Sequence, residues 1–223
     1  MAKKIMMAGV LMFLVHWASA QRFEGGLIGG LNASQVSNDM YQGYHKPGIL
    51  AGFYVQTDVA PAVFAGMEIK YSQKGSRKRI KPKSTDFEKY VMRLGYVDVP
   101  FFMGFRTSDR GSVVAGVSGG FLMHAQEFNN DGAFPREDQN AFNDFDLQPF
   151  LGFKFDFLEQ VTVDLRMAYS VLPLREVQGE EGTTSYWLNN QFNNVISLAL
   201  YYRIDRYNLP FQEFTIHMEK ISR

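Results

Sequence analysis

The residues able to do chemistry are few and of two kinds. Of the four histidines, His16 lies in an N-terminal leader, which leaves His45, His124 and His217. A histidine works as a general base only with a nucleophile and an orienting group in reach. Ser72 and Asp131 could in principle serve His45 or His124, but no motif links them, and no catalytic residue is assigned. His124 and Glu127 are three apart, a spacing that gathers metal ligands on a helix and not on a strand. No metal or cofactor site is assigned either. The chain has no cysteine, so thiol catalysis, disulfides and cysteine zinc sites are excluded. The second kind is charge at two-residue intervals. Glu68 with Lys70, Lys154 with Asp156, and Asp164 with Arg166 each share one face of an extended chain. Asp98, Arg106, Asp146 and Arg203 fall on the matching face of their own segments. These five acids and five bases, enclosed together, would either pair as a structural plug or line a selective path for a small solute.

Strands must position them. From Gln160 to Ser170, polar residues on one face alternate with Val161, Val163, Leu165, Met167 and Tyr169 on the other. The segment before it sets Leu147, Leu151, Phe153, Phe155 and Phe157 against Asp146, Gln148, Gly152, Lys154 and Asp156, so the two read as a hairpin. The same period recurs over Val63–Ser72, Val97–Arg106 and Val113–His124, and less regularly over Phe23–Ala33, Gly48–Thr57 and Asn193–Ile204. That makes eight strands. A content of 15% aromatic residues with 20 glycines fits a β-rich, turn-rich chain. Lys plus Arg equal Asp plus Glu, which leaves no basic field for nucleic acid.

The leader sets the compartment. Lys3 and Lys4, an apolar stretch from Ile5 to Trp17 and the small residues Ala18-Ser19-Ala20 describe an export signal cleaved after Ala20. The expected organisation is a signal peptide over 1–20, a barrel over 21–204 and a periplasmic tail over 205–223. The connections over 58–61, 107–111 and 158–160 are short, and those over 34–46, 73–89, 126–144 and 172–190 are long. Short turns on one side and long loops on the other are the plan of an eight-stranded antiparallel transmembrane β-barrel, with the long loops outside the cell. A soluble lipocalin-type barrel is the competing fold, with its apolar residues inside. In a membrane barrel the charged face must be the lumen, because Arg or Lys on the lipid wall at the bilayer centre costs roughly 2–4 kcal/mol. The tail residues Phe211, Phe214, Met218 and Ile221 suit one helical face, while Phe214, Ile216 and Met218 also suit a strand.

Tyr71-Ser72-Gln73-Lys74-Gly75, Tyr96-Val97-Asp98-Val99-Pro100 and Leu165-Arg166-Met167-Ala168-Tyr169-Ser170, in this order, resemble the PorT-like outer-membrane β-barrel family of Bacteroidota over about residues 23–204. The resemblance implies an eight-stranded, porin-like barrel in the outer membrane without an assigned enzymatic activity. The family's namesake belongs to type IX secretion and gliding. The chain departs from the usual pattern in carrying 19 residues beyond its last strand.

Outside, charge is divided. From Lys74 to Lys89 seven bases face two acids, a net +5; from Gln126 to Asp144 five acids face Arg136, a net −4. The two loops could neutralise each other. Alternatively Arg77, Lys78, Arg79, Lys81 and Lys83 could contact phosphates of outer-membrane lipids such as lipopolysaccharide. The expected role is structural or interaction-based, with an accessory role in a secretion or surface-assembly complex, or a small pore, as alternatives.

Overall fold

The computed structural model describes residues 23–39, 41, 43–78, 89–134, 142–176, 187 and 190–204. The leader, the tail, Arg79, Lys81, Lys83 and residues 135–141 of the acidic loop therefore lie outside the described residues. Within them the strands are β1 (Phe23–Ser37), β2 (Lys46–Ala60), β3 (Val63–Arg77), β4 (Val91–Arg106), β5 (Gly111–Asn129), β6 (Gly132–Ala133), β7 (Phe145–Leu158), β8 (Val161–Tyr169), β9 (Arg175–Glu176) and β10 (Asn190–Arg203). Eight are long. They pair antiparallel in the order β1-β2-β3-β4-β5-β7-β8-β10, and β10 returns to β1 from Gly26↔Arg203 to Ser37↔Phe192. The sheet is thus a closed barrel, and closure leaves no open edge among the eight. The stubs β6 and β9 pair with β5 and β10 at the long-loop end.

The two-residue period sorts side chains between wall and lumen. On β5, Val113, Val117, Phe121 and Met123 are exposed outside, whereas Val114, Ser118 and Gly120 are buried inside. Leu31, Phe53, Phe101, Leu151, Leu165 and Leu198 extend the exposed apolar wall around the barrel. A soluble protein would not show so continuous an apolar surface, whereas a bilayer solvates it.

The strands run further towards the long loops than the pattern alone indicates. β3 continues to Arg77, β4 begins at Val91 and β5 reaches Asn129. Lys74 and Ser76 read as loop, but they continue the inward alternation of Ser72, and all three are buried. The two-residue period over Val113–His124 sets His124 on the polar face with Ser118 and Gly120, but the structure places it on the outer wall. The β4–β5 register pairs Tyr96 with Leu122 and Gly95 with His124, so Met123 is an extra residue; the resulting bulge inverts the faces beyond it.

At this end β3 leans inward. Its ladder with β2 stops at Leu50↔Ser72, and the lumen-facing side chains of β1 take over: Asn32 Nδ2 donates to Gln73 O at 3.0 Å and Ser34 Oγ to Gly75 O at 2.9 Å. Gly75 makes the bend with φ +130°, and a Cβ there would stand 2.2 Å from Met92 O. Gly75→Ala is therefore expected to cost about 1–3 kcal/mol through backbone strain alone. The urea midpoint of the folded, heat-modifiable band measures this, and an unchanged midpoint would show that the bend can be made without glycine.

Residues 171–174, after β8, fold in over the long-loop end of the barrel. Val171 N donates to Leu147 O, Leu174 N to Gln191 O and Asn143 N to Leu174 O. Leu174 packs with Val36, Met92, Leu94 and Tyr96 in an apolar layer under the rim.

Candidate functional site: the charged lumen and the outer wall

Two ion clusters are stacked inside the barrel. The one nearer the short turns is centred on Glu68, which is 1% exposed. Arg166 reaches it with Nη2 at 2.6 Å from Oε1 and Nη1 at 3.1 Å from Oε2, a bidentate pair. Lys70 Nζ lies 3.0 Å from Glu68 Oε2, and Tyr201 OH donates to Oε1 at 2.7 Å. Asp164 binds the far side of Arg166, with Oδ1 2.8 Å from Nε, and lies 3.7 Å from Lys154 Nζ. Aromatic rings wall the cations: the guanidinium of Arg166 sits 4.8 Å from the Phe150 centroid and Lys154 Nζ 3.7 Å from that of Tyr201.

The second cluster, nearer the long loops, is centred on Lys74. Its ammonium donates to Asp98 Oδ1 at 2.9 Å and Gln148 Oε1 at 3.1 Å, lies 3.6 Å from Asp146 and stands 4.6 Å over the Tyr96 ring. Asp146 also accepts hydrogen bonds from Ser170 Oγ, Gln148 Nε2 and Asn193 Nδ2. Together the clusters hold Lys70, Lys74, Lys154 and Arg166 against Glu68, Asp98, Asp146 and Asp164, a neutral set. Between them is a void of about 30 Å³ touching Lys70, Gln148 and Arg166, room for about one water. Above them Arg175 forms a bidentate pair with Glu127, and Tyr90 OH donates to the same carboxylate. Burial and the neighbouring Glu127 push the Tyr90 hydroxyl far above its ordinary range, so it stays a donor.

Seven of the ten lumen charges named from sequence thus enter these clusters: Glu68, Lys70, Asp98, Asp146, Lys154, Asp164 and Arg166. The other three do not. Arg106, Asp156 and Arg203 line an open cup of about 300 Å³ at the short-turn end. There Arg106 Nη2 meets Asp58 at 2.5 Å, with the Asp58 side chain largely in water and that of Arg106 partly so, and Asp156 accepts from Thr162. Their strand parity is right, but they sit where the lumen opens to solvent. Lys74 and Glu127, assigned from sequence to the external loops, are lumen residues instead, because β3 and β5 continue past the expected strand ends. Lys74 is two residues beyond Ser72, Gln148 two beyond Asp146 and Tyr201 two before Arg203, so the period carried the signal for all three. Of the histidine partners considered, Ser72 faces the lumen, where Asn32 Nδ2 donates to it, while His124 is on the outer wall; the two cannot meet. Glu127 and His124 are likewise on opposite faces.

The outer wall has the height of a membrane. From Val113 to Met123, β5 presents Val113, Ala115, Val117, Gly119, Phe121 and Met123 outward. At about 3.3 Å per residue and a tilt of about 40°, this run rises about 25 Å, the height of the apolar band on outer-membrane barrels. A closed barrel with an apolar exterior of this height and an ion-paired interior is an integral protein of the outer membrane, in contact with its lipids. Residues 17–175 match the model of the outer membrane protein beta-barrel domain family, and the chain belongs to that family. A comparison with curated proteins finds no match. Among solved structures, the chain is similar to Ail, the attachment invasion locus protein of Yersinia pestis, solved in complex with the heparin analogue sucrose octasulfate: 16% identity, 82% of this chain, 99% of that chain, TM-score 0.47. Neisserial surface protein A gives 10% identity, 83% and 99% coverage and TM-score 0.48. OprG from Pseudomonas aeruginosa gives 10% identity, 82% and 95% coverage and TM-score 0.36.

Proposed function

We propose that this barrel is closed to solutes and acts through its outer wall and extracellular rim, as a structural or interaction protein of the outer membrane and not as an enzyme. One observation carries the reading: two buried ion clusters are stacked across the lumen, with the apolar layer around Leu174 above them. A conducting path needs hydrated charges that a solute can displace, whereas these are bonded to one another and packed on rings. The PorT-like motifs support the same reading. Arg77 and Lys78 extend it to phosphate-bearing outer-leaflet lipids, lipopolysaccharide included. Reconstitution of the purified protein in planar bilayers should show no stepwise conductance at neutral pH. Stable, reproducible channels would make it a pore instead. Stoichiometric membrane partners retained in mild detergent would make it a subunit of an assembly.

A further inference from the structure

The inward lean of β3 leaves a recess of about 570 Å³ on the outside of the wall, at the long-loop end. β2 contributes Lys46, β3 Gln73 and Arg77, β4 Arg93, and β5 His124 and Gln126. The register places the groups from β3, β4 and β5 outward and side by side: Gln73 beside Gly95, Arg77 beside Val91, Arg93 beside Gln126 and Gly95 beside His124. Gly95 lets the imidazole of His124 lie across β4, since a Cβ there would stand 2.1 Å from its Cε1.

The recess is cationic and has no counter-charge of its own among the described residues. Lys46, Arg77 and Arg93 line it together with no carboxylate. The charged neighbours that act on Lys46 are Arg93 and Arg77, both cations, and its ammonium donates to Pro47 O at 2.8 Å, which leaves further N–H groups to give. Glu127, the acid nearest in sequence on β5, points into the lumen and is bound to Arg175. Arg93 stacks 4.7 Å over the Phe128 ring, which fixes its position. Three cations gathered without an anion repel one another, so the recess is built to receive negative charge.

Its level on the wall decides which anion. His124 directly follows Met123, the upper end of the apolar band, and Ile49, Ile69 and Phe121 lie exposed on the same wall. A ligand filling this place meets cations above and apolar surface below. That is the polarity of a lipid whose phosphate sits at the membrane boundary and whose acyl chains run down the wall. We propose that this recess binds the phosphate of an outer-leaflet lipid, with Lys46, Arg77 and Arg93 as its ligands and Ile49, Ile69 and Phe121 beneath the acyl chains. The inference deepens the outer-wall reading above and rests on it.

The test is native mass spectrometry of the full-length protein in mild detergent, titrated with phosphate-bearing lipid A, with the same lipid after phosphatase treatment, and with inorganic phosphate. Wild-type protein should retain the phosphate-bearing lipid, and K46Q/R93Q should retain it about tenfold less or weaker still, having lost two charge-assisted contacts. Both proteins should bind the dephosphorylated lipid alike and weakly, and raised salt should narrow the difference. Arg93 is exposed on the outer face, so the heat-modifiable band of R93Q should persist; Lys46 is buried, and if the double variant does not fold, R93Q alone carries the test. Equal retention by wild type and variant overturns the proposal. Binding of inorganic phosphate as tight as that of the lipid overturns the lipid as its source. A barrel that conducts but loses lipid with Lys46 and Arg93 would defeat the closed-lumen reading and uphold this one.

Discussion

Replacing Glu68 by Ala should destabilise the barrel by about 3–5 kcal/mol, the effect of removing one partner from a buried ion pair. Glu68 accepts from Arg166 twice, from Lys70 and from Tyr201. Without it Arg166 keeps Asp164, but Lys70 loses its carboxylate and the cluster carries uncompensated positive charge in an apolar setting. The effect is read as a lower urea midpoint for the folded, heat-modifiable band. Because Glu68 and Arg166 touch, E68A/R166M should be less destabilised than the sum of its two single variants. Asp58→Ala is the contrasting case. Its pair with Arg106 is as short as any in the lumen, yet the side chains are 65% and 37% exposed, and exposed pairs contribute about 0–1 kcal/mol. A loss for Glu68→Ala no larger than that for Asp58→Ala would mean that water reaches the lower cluster and that the lumen is not plugged there.

The second large effect is expected at Lys74. Lys74→Met removes the cation between Asp98 and Asp146, leaving two buried carboxylates close together. Asp146 keeps Ser170, Gln148 and Asn193 as donors, whereas the side-chain bond described for Asp98 is the one from Lys74. The expected loss is again about 3–5 kcal/mol or failure to fold. Asp98→Asn in the Lys74→Met background should restore much of it, because the orphaned charge is then gone. The unboiled gel mobility of refolded protein measures both. A single variant as stable as wild type would show that Asp98 is hydrated in the native barrel, and a double variant no better than the single would show that lost packing of the lysine stem, not charge, is what matters.

These two residues also divide what could be read in the chain from what could not. Side-chain period two and the cost of charge facing lipid are properties of each strand taken alone, and they suffice to place Glu68, Lys70, Asp164 and Arg166 in a lumen and to sort short turns from long loops. They do not say how high each residue sits. Lys74 obeys the same period but lies where polar residues crowd near the strand end. It becomes a lumen residue because β3 leans on Asn32 and Ser34 from β1, some forty positions away in the chain.

By itself, then, the sequence determined a β-rich chain, eight alternating strands and which face of most of them is polar, because each follows from neighbours one or two residues apart. Tertiary structure alone decided four things. It set the partners within the network, since the stagger of eight strands fixes which charges share a level. It put Arg106, Asp156 and Arg203 in the open cup and not in the plug. It turned His124 outward, because one extra residue at Met123 inverts a strand's faces. And it made the cationic recess of Lys46, Arg77 and Arg93, because the parting of β2 from β3 is a relation between strands that no single segment encodes.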